Sequence, residues 1–229
     1  MVDPSPDPAT AAEYRAYMTA LLAGDRRRCL AILSDRLDRG AAIRDLYEGL
    51  FRDSLYEVGD LWESNRISVA AEHMATAITE GLMNGLYDRI VSARRIQRKA
   101  VVASVAGELH QVGGKMVADV FEMRGWDSYY LGADIPAGEL VRLVRDIRPD
   151  AAGLSMSLYF HLDSLKKTLR RLRDGFPDLA VIVGGQAFRH GGGGTVEKEP
   201  NVRYIDSLPA LENFIGDFEK TAPKKGDVQ

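Results

Sequence analysis

Ala100-Val-Val-Ala-Ser104-Val105-Ala-Gly107-Glu108-Leu-His110-Gln-Val-Gly113 is the stretch whose reading decides the fold. Val101 to Val105 is an apolar run of strand length, interrupted by Ser104. A polar loop holding a carboxylate and an imidazole follows, and then an amphipathic segment, Gly113 to Arg124, with helical period. The same texture recurs downstream. Short apolar runs at Tyr129–Leu131, Ala151–Ser155, Ala180–Val183 and Val202–Ile205 alternate with helical stretches at Ala137–Ile147, Leu162–Gly175 and Leu208–Phe218. Strand-helix alternation of this kind specifies a parallel sheet covered by helices, a Rossmann-like (flavodoxin-like) domain expected over residues 100–220.

Upstream the pattern is helical throughout. Tyr14, Tyr17, Met18, Leu21 and Leu22 share one face of a helix that stops near Gly24; Leu30, Leu33 and Leu37 mark a second, stopped by Gly40. Leu46, Leu50, Leu55, Val58 and Leu61 mark a third, from Ile43 to Trp62. Asn65-Arg66 breaks it, Ser68 reads as an N-cap, and Val69 to Ile90 reads as one long fourth helix. The fold class is therefore α followed by α/β: a four-helix bundle over 11–93, then the sheet domain. Residues 1–10 and 221–229 read as disordered tails, and Arg94-Arg95-Ile-Gln-Arg98-Lys99 as a solvated linker, 94–99.

Composition narrows the function. With 30 basic and 33 acidic residues and a formal charge of −3, the chain has no electrostatic surplus for phosphate backbones, so direct DNA binding is not expected. A single cysteine, Cys29, excludes disulfides and thiolate metal clusters and reads as a small buried apolar residue. No apolar run reaches the ~18 residues of a membrane span, and the N-terminus lacks a signal-peptide pattern, so a cytoplasmic location without membrane contact is expected.

In an open parallel α/β sheet, ligands sit beyond the carboxyl ends of the strands. The unusual residues fall in those loops: Glu108, His110 and Gly113 after the first strand, Ser155 and Ser157 at the end of the third, Gly184 and Gly185 at the end of the fourth. A carboxylate two positions from an imidazole fixes its tautomer and raises its basicity toward a metal, and the glycines let backbone approach a ligand. Glu108-x-His110-x-x-Gly113, then 41 residues, then Ser155-x-Ser157, then 26 residues, then Gly184-Gly185 resembles the Asp-x-His-x-x-Gly, Ser-x-Leu, Gly-Gly pattern of cobalamin-binding Rossmann-like domains. The resemblance implies that His110 is the lower axial ligand to cobalt and that Ser155, Ser157, Gly184 and Gly185 line a slot for the cofactor's dimethylbenzimidazole tail. Glu108 stands where aspartate is usual, and Ser157 where leucine is usual.

A second constellation lies earlier. Trp62-x9-Glu72-His73 resembles the upper-face motif of CarH-like, adenosylcobalamin-dependent photoreceptors, in which a helical bundle caps the corrin. That resemblance implies that Trp62 packs against the adenosyl group, that Glu72 hydrogen-bonds it, and that His73 ligates cobalt after light has removed it. It implies a stand-alone light sensor, not an enzyme, whose two halves clamp one corrinoid between two imidazoles. The cofactor would be adenosylcobalamin, with methyl- or hydroxocobalamin as alternatives. CarH-like regulators carry a MerR-type DNA-reading domain for which this sequence shows no counterpart, so the expected partner is a transcription regulator or other signalling protein, and a homo-oligomer is open. The alternative is a corrinoid methyl carrier of a methyltransferase system. Gly191-Gly-Gly-Gly194 is read as a loop by the tail slot or as part of a partner surface. His161 is read as a helix cap, His190 as the start of the glycine loop, and Met74, Met83 and Met123 as core filler, Met74 lying beside His73.

Overall fold

A computed structural model describes residues 8–91, 94–189, 196 and 199–221. His190 and the Gly191–Gly194 loop lie outside these residues, as does most of each expected tail. The chain divides into two compact units, Met1–Asp88 and Arg89–Gln229.

The first unit is helical: α1 (Pro8–Leu22), α2 (Arg26–Asp38), a run of α3 (Ile43–Leu46), a π-helical turn (Tyr47–Arg52) and α4 (Asp53–Glu63), then α5 (Val69–Asn84); α6 (Tyr87–Ile90) crosses the division. Residues 8–10 are thus the start of α1 and not tail. α1 packs on α2 and α5, and α4 on α5, around Tyr17, Leu21, Cys29, Phe51 and Met83, none of them exposed. α4 ends in a Schellman motif: Arg66 N donates to Leu61 O, Asn65 N to Trp62 O, and Asn65 sits at φ +58°. Ser68 Oγ then accepts from Ala71 N and starts α5, as its sequence position suggested. The long fourth helix is shorter than expected. α5 closes at Gly85, where Leu86 N turns back to Met83 O, so Tyr87–Ile90 is a separate turn. The π turn has a second consequence. Its extra residue rotates the helix face, so that Ser54 is buried while Leu55 and Leu61, expected inside, are only half-covered.

The second unit is a five-stranded parallel sheet: β1 (Lys99–Ser104), β2 (Asp127–Tyr130), β3 (Ala151–Ser155), β4 (Ala180–Gly184) and β5 (Val202–Tyr204), in the order β2-β1-β3-β4-β5. Helices α7 (Val112–Met123), α8 (Ala137–Ile147), α9 (Leu162–Gly175) and α10 (Leu208–Thr221) connect and cover the strands. β1 and β3 are buried along nearly their whole length because helices cover both faces, hence their unbroken apolar runs. The order reverses between β1 and β3, and the register there sets Ser104 beside Ser155 and Ser155 beside Gly184. Three small residues therefore line up at the carboxyl edge, where a doubly wound sheet takes its ligand.

The basic piece 94–99 is not a solvated linker. Lys99 begins β1. Arg95 reaches Glu122, Asp127 and the Trp126 carbonyl. Arg98 is buried, pairs with Asp150 at 3.0 Å and lies over the Phe218 ring, while the other Asp150 oxygen accepts from Lys99 N. The basic residues therefore tie the first strand to the loop before β3. Asp150→Ala strands a buried guanidinium and an amide and should lower the unfolding free energy by about 3 kcal/mol, read as a shift of the urea midpoint of the transition that reports on the sheet.

Candidate functional site

Glu108 organises the carboxyl edge of the sheet. Its side chain is fully buried in the loop after β1, and both oxygens are occupied. One accepts from His110 N at 2.9 Å and His110 Nδ1 at 2.5 Å. The other accepts from Ser157 N at 2.8 Å and Leu158 N at 2.9 Å, in the loop after β3. One carboxylate thus spans the switch point. Burial alone would raise its pKa, but the hydrogen bonds from the His110 ring and from the amides of His110, Leu158 and Ser157 outweigh it and hold the group at about 2. It is an anion at any physiological pH.

A carboxylate on Nδ1 puts that nitrogen's hydrogen toward Glu108 and the lone pair on Nε2, the nitrogen left to bind a metal. The His110 side chain is about half exposed, 52%, while the loop beneath it is fixed. Ser104 Oγ donates to His110 O at 3.0 Å, and Tyr130 OH to Gln111 O at 2.7 Å. The glutamate in place of aspartate therefore does reach His110, and its length also lets it reach the second loop.

The other expected residues have distinct places. Ser155 is buried at the end of β3, facing Gly113, where an added Cβ would come 3.8 Å from its Oγ, and Gly114, where one would touch Tyr130 and Ser155 at 3.5 and 3.6 Å. The absent side chains on the first turn of α7 leave open the space in front of Ser155. Ser157 contributes its amide to Glu108. Gly184 and Gly185 have a reason within the chain: a Cβ at 184 would lie 2.8 Å from Ile205 O, and one at 185, where φ is +119°, 2.3 Å from Met156 O. Glycine is required there by neighbouring backbone. His161 stands at the N-cap position of α9 as expected, but its side chain makes no capping hydrogen bond; the ring lies against Gly107 and is tilted against Phe160 with centroids 3.9 Å apart. Ser104, Tyr130 and Leu158 were not anticipated. Only Ser104, a hydroxyl closing an apolar strand, left a trace in the sequence.

In the first unit, Trp62 lies in the last turn of α4 and is 44% exposed, so it does not close a core. Glu72 and His73 fall in the first turns of the adjoining α5. Glu72 holds His73 Nδ1 with one oxygen and accepts from Thr76 Oγ1 at 3.0 Å with the other. The His73 side chain is 75% exposed. Met74 rests its sulfur over Gly24, where φ is +72° and no side chain would fit; Met83 is core and Met123 half-buried.

A doubly wound sheet with a carboxylate-backed histidine and a first helical turn bearing two adjacent glycines at its switch point defines a cofactor-binding α/β domain. Family models for the B12 binding domain match residues 98–205 and, separately, 14–87. The chain belongs to the B12-binding domain family and binds cobalamin. It is 31% identical to the HTH-type transcriptional repressor CarH of Myxococcus xanthus over 76% of this chain and 58% of that protein. It is 30% identical to CarA of the same organism over 54% and 43%, so it spans about half the length of these curated relatives. It is also 25% identical to dimethylamine corrinoid protein 3 of Methanosarcina mazei over 56% of this chain and 80% of that one. Its fold is that of the Methanosarcina barkeri monomethylamine corrinoid protein, with a TM-score of 0.79, 14% identity, and 91% and 99% of the two chains covered. The residues fit the cofactor: a fixed, half-exposed imidazole stands beside an opening that a Cβ at Gly113 would begin to fill.

Glu108→Gln replaces one acceptor oxygen by an NH2 group, which must then face either the two His110 donors or the Ser157 and Leu158 amides. We expect a loss of about 2 kcal/mol of stability in urea unfolding of the cofactor-free protein, with the secondary structure retained by circular dichroism.

Proposed function

We propose that the protein is a cobalamin-based light sensor that signals to a transcription regulator or other signalling protein and is not itself an enzyme. His110 would hold the cobalt from the sheet domain through Nε2, with its tautomer set by Glu108. Ser155, Ser157, Gly113, Gly184 and Gly185 hold the nucleotide tail. Trp62 and Glu72 would serve the group carried on cobalt, and His73 would offer a nitrogen to the metal in its place. Bound adenosylcobalamin supplies a cobalt–carbon bond that light breaks.

The observation that carries the reading is the Glu72–His73 pair. An imidazole on the first turns of α5, exposed and held at Nδ1 by a carboxylate, is prepared to present Nε2 outward. A group carrier, whose upper side must admit a partner's reactants, gains nothing from a nitrogen that would occupy it. The likeness to CarH points the same way. The second reading, a corrinoid carrier for a methyltransferase, is favoured by the resemblance to the Methanosarcina corrinoid proteins. The residues assigned to His110's side of the cofactor serve both. On either reading we place the protein in the cytoplasm.

The protein loaded with adenosylcobalamin in darkness should shift irreversibly on illumination to the absorption spectrum of a cobalamin with two imidazole ligands. His73→Ala should bind the dark form as tightly as wild type and fail to reach that final spectrum. If the variant and wild type end at the same species, the sensor reading falls; a spectrum unchanged by light in wild type leaves the carrier.

A further inference from the structure

The loop that carries His110 is gripped from a third side, by a residue that neither the motif nor the family match singles out. Asp134 lies between β2 and α8, at the rim of the carboxyl edge, and adopts φ +53°, a left-handed backbone that a non-glycine residue takes up at some cost. In that conformation it brackets the two residues Gly107 and Glu108, bonding the N–H of the first and the carbonyl of the second. Its carboxylate oxygen accepts from Gly107 N at 2.7 Å, and its own N–H donates to Glu108 O at 2.9 Å. The next residue extends the grip, for Ile135 N donates to Ser104 O and a parallel bridge joins Val105 to Ile135.

Gly107 has no freedom to move away. It sits at φ +87°, and the His161 ring lies where its Cβ would be, 2.9 Å from the nearest ring atom. The backbone that launches Glu108 is thus set on one side by Asp134 and on the other by His161, before the Glu108 carboxylate sets His110.

We propose that Asp134 is a positioning residue for the cobalt-binding histidine: by holding the N–H of Gly107 and the carbonyl of Glu108 it fixes the direction from which Glu108 holds His110, and so tunes how firmly the imidazole is presented to cobalt. The inference rests on the reading of His110 as a lower ligand. Asp134 touches no cofactor in this role; it acts through Glu108.

Three substitutions separate the contributions. Asp134→Asn keeps an acceptor oxygen and tolerates the left-handed backbone. Asp134→Gly keeps the backbone and loses the acceptor. Gly107→Ala keeps Asp134 and forces the peptide off its seat against His161. The full chain, prepared with 15N-labelled histidine, is titrated with aquocobalamin, and the bound cofactor is then reduced to the cob(II)alamin form for electron paramagnetic resonance, where a doublet nitrogen splitting reports a histidine imidazole on cobalt and a triplet the cofactor's own benzimidazole. Thermal unfolding of the cofactor-free proteins is followed in parallel.

Asp134→Gly is expected to bind about tenfold more weakly and to lose the doublet splitting in part of the sample. Gly107→Ala should do the same, at a lowered unfolding midpoint because its left-handed backbone is strained for alanine, and Asp134→Asn should stay within about threefold of wild type; all three should unfold cooperatively, the two Asp134 variants with midpoints near that of wild type. If Asp134→Gly matches wild type in affinity and splitting, Asp134 positions nothing. If Asp134→Asn is as impaired as Asp134→Gly, or if Asp134→Gly has no cooperative transition, the role is charge or plain stability and the proposal is overturned. Wild type showing no imidazole splitting would instead remove the reading of His110 on which the proposal stands. Folded Asp134 variants with weakened binding and intact splitting would also count against it.

Discussion

A single buried carboxylate holds the working edge of the sheet together. Glu108 is without solvent exposure, and an anion so placed would be unfavourable by several kcal/mol if left alone. Four N–H donors from two loops offset that cost: the amide and ring of His110, and the amides of Ser157 and Leu158. The exchange works in both directions. The amides of 157 and 158 belong to an irregular segment leaving a buried strand, where unpartnered donors would themselves be costly. Neither loop is satisfied without the other, so the position of His110 relative to the end of β3 is a property of the fold and not of a mobile side chain.

That coupling depends on the sheet's register. Ser104, Ser155 and Gly184 stand side by side on β1, β3 and β4, so the loops that follow leave the sheet at one level, and the reversal of strand order between β1 and β3 keeps helices from closing over them. A one-residue slip of β3 would move Ser157 and Leu158 away from Glu108 and turn every side chain of a strand buried on both faces. The apolar packing that fixes register therefore also fixes the site.

Much of this was legible in the chain. The strand and helix boundaries of the second unit follow the alternation of apolar runs with amphipathic segments, because strands buried on both faces and helices buried on one leave unlike patterns. The helical unit was harder. The π turn at Tyr47–Arg52 shifts the buried face without altering composition, so Ser54 lies inside where the period put Leu55. The 94–99 segment shows the limit of reading charge as solvation: Arg98 is buried because Asp150, more than fifty residues away, meets it. His161 and Asp134 act through contacts with Gly107 that only the folded chain brings about. Gly184 and Gly185 were noted as approach points for a ligand, whereas the backbone of Ile205 and Met156 already forbids any other residue there.

The two carboxylate-backed imidazoles differ in a way that bears on the choice between sensor and carrier. At Glu108 the holding group is fully buried, is joined to two loops and rests on a strand end, so His110 is set before any ligand arrives. At Glu72 the holding side chain is one-fifth exposed, its other oxygen accepts from Thr76 one helical turn on, and His73 itself is three-quarters exposed. A rigid imidazole suits a ligand that must always be present, since little ordering entropy is lost when the metal binds. A loosely held one suits a ligand that must stay away until the position is vacated, because rotamer freedom disfavours it while a competing group is bound and is overcome once that group is gone. On the sensor reading proposed above, the asymmetry is what a one-way switch would require of its two nitrogens, whereas a carrier, which returns to the same state after every transfer, would have use only for the first.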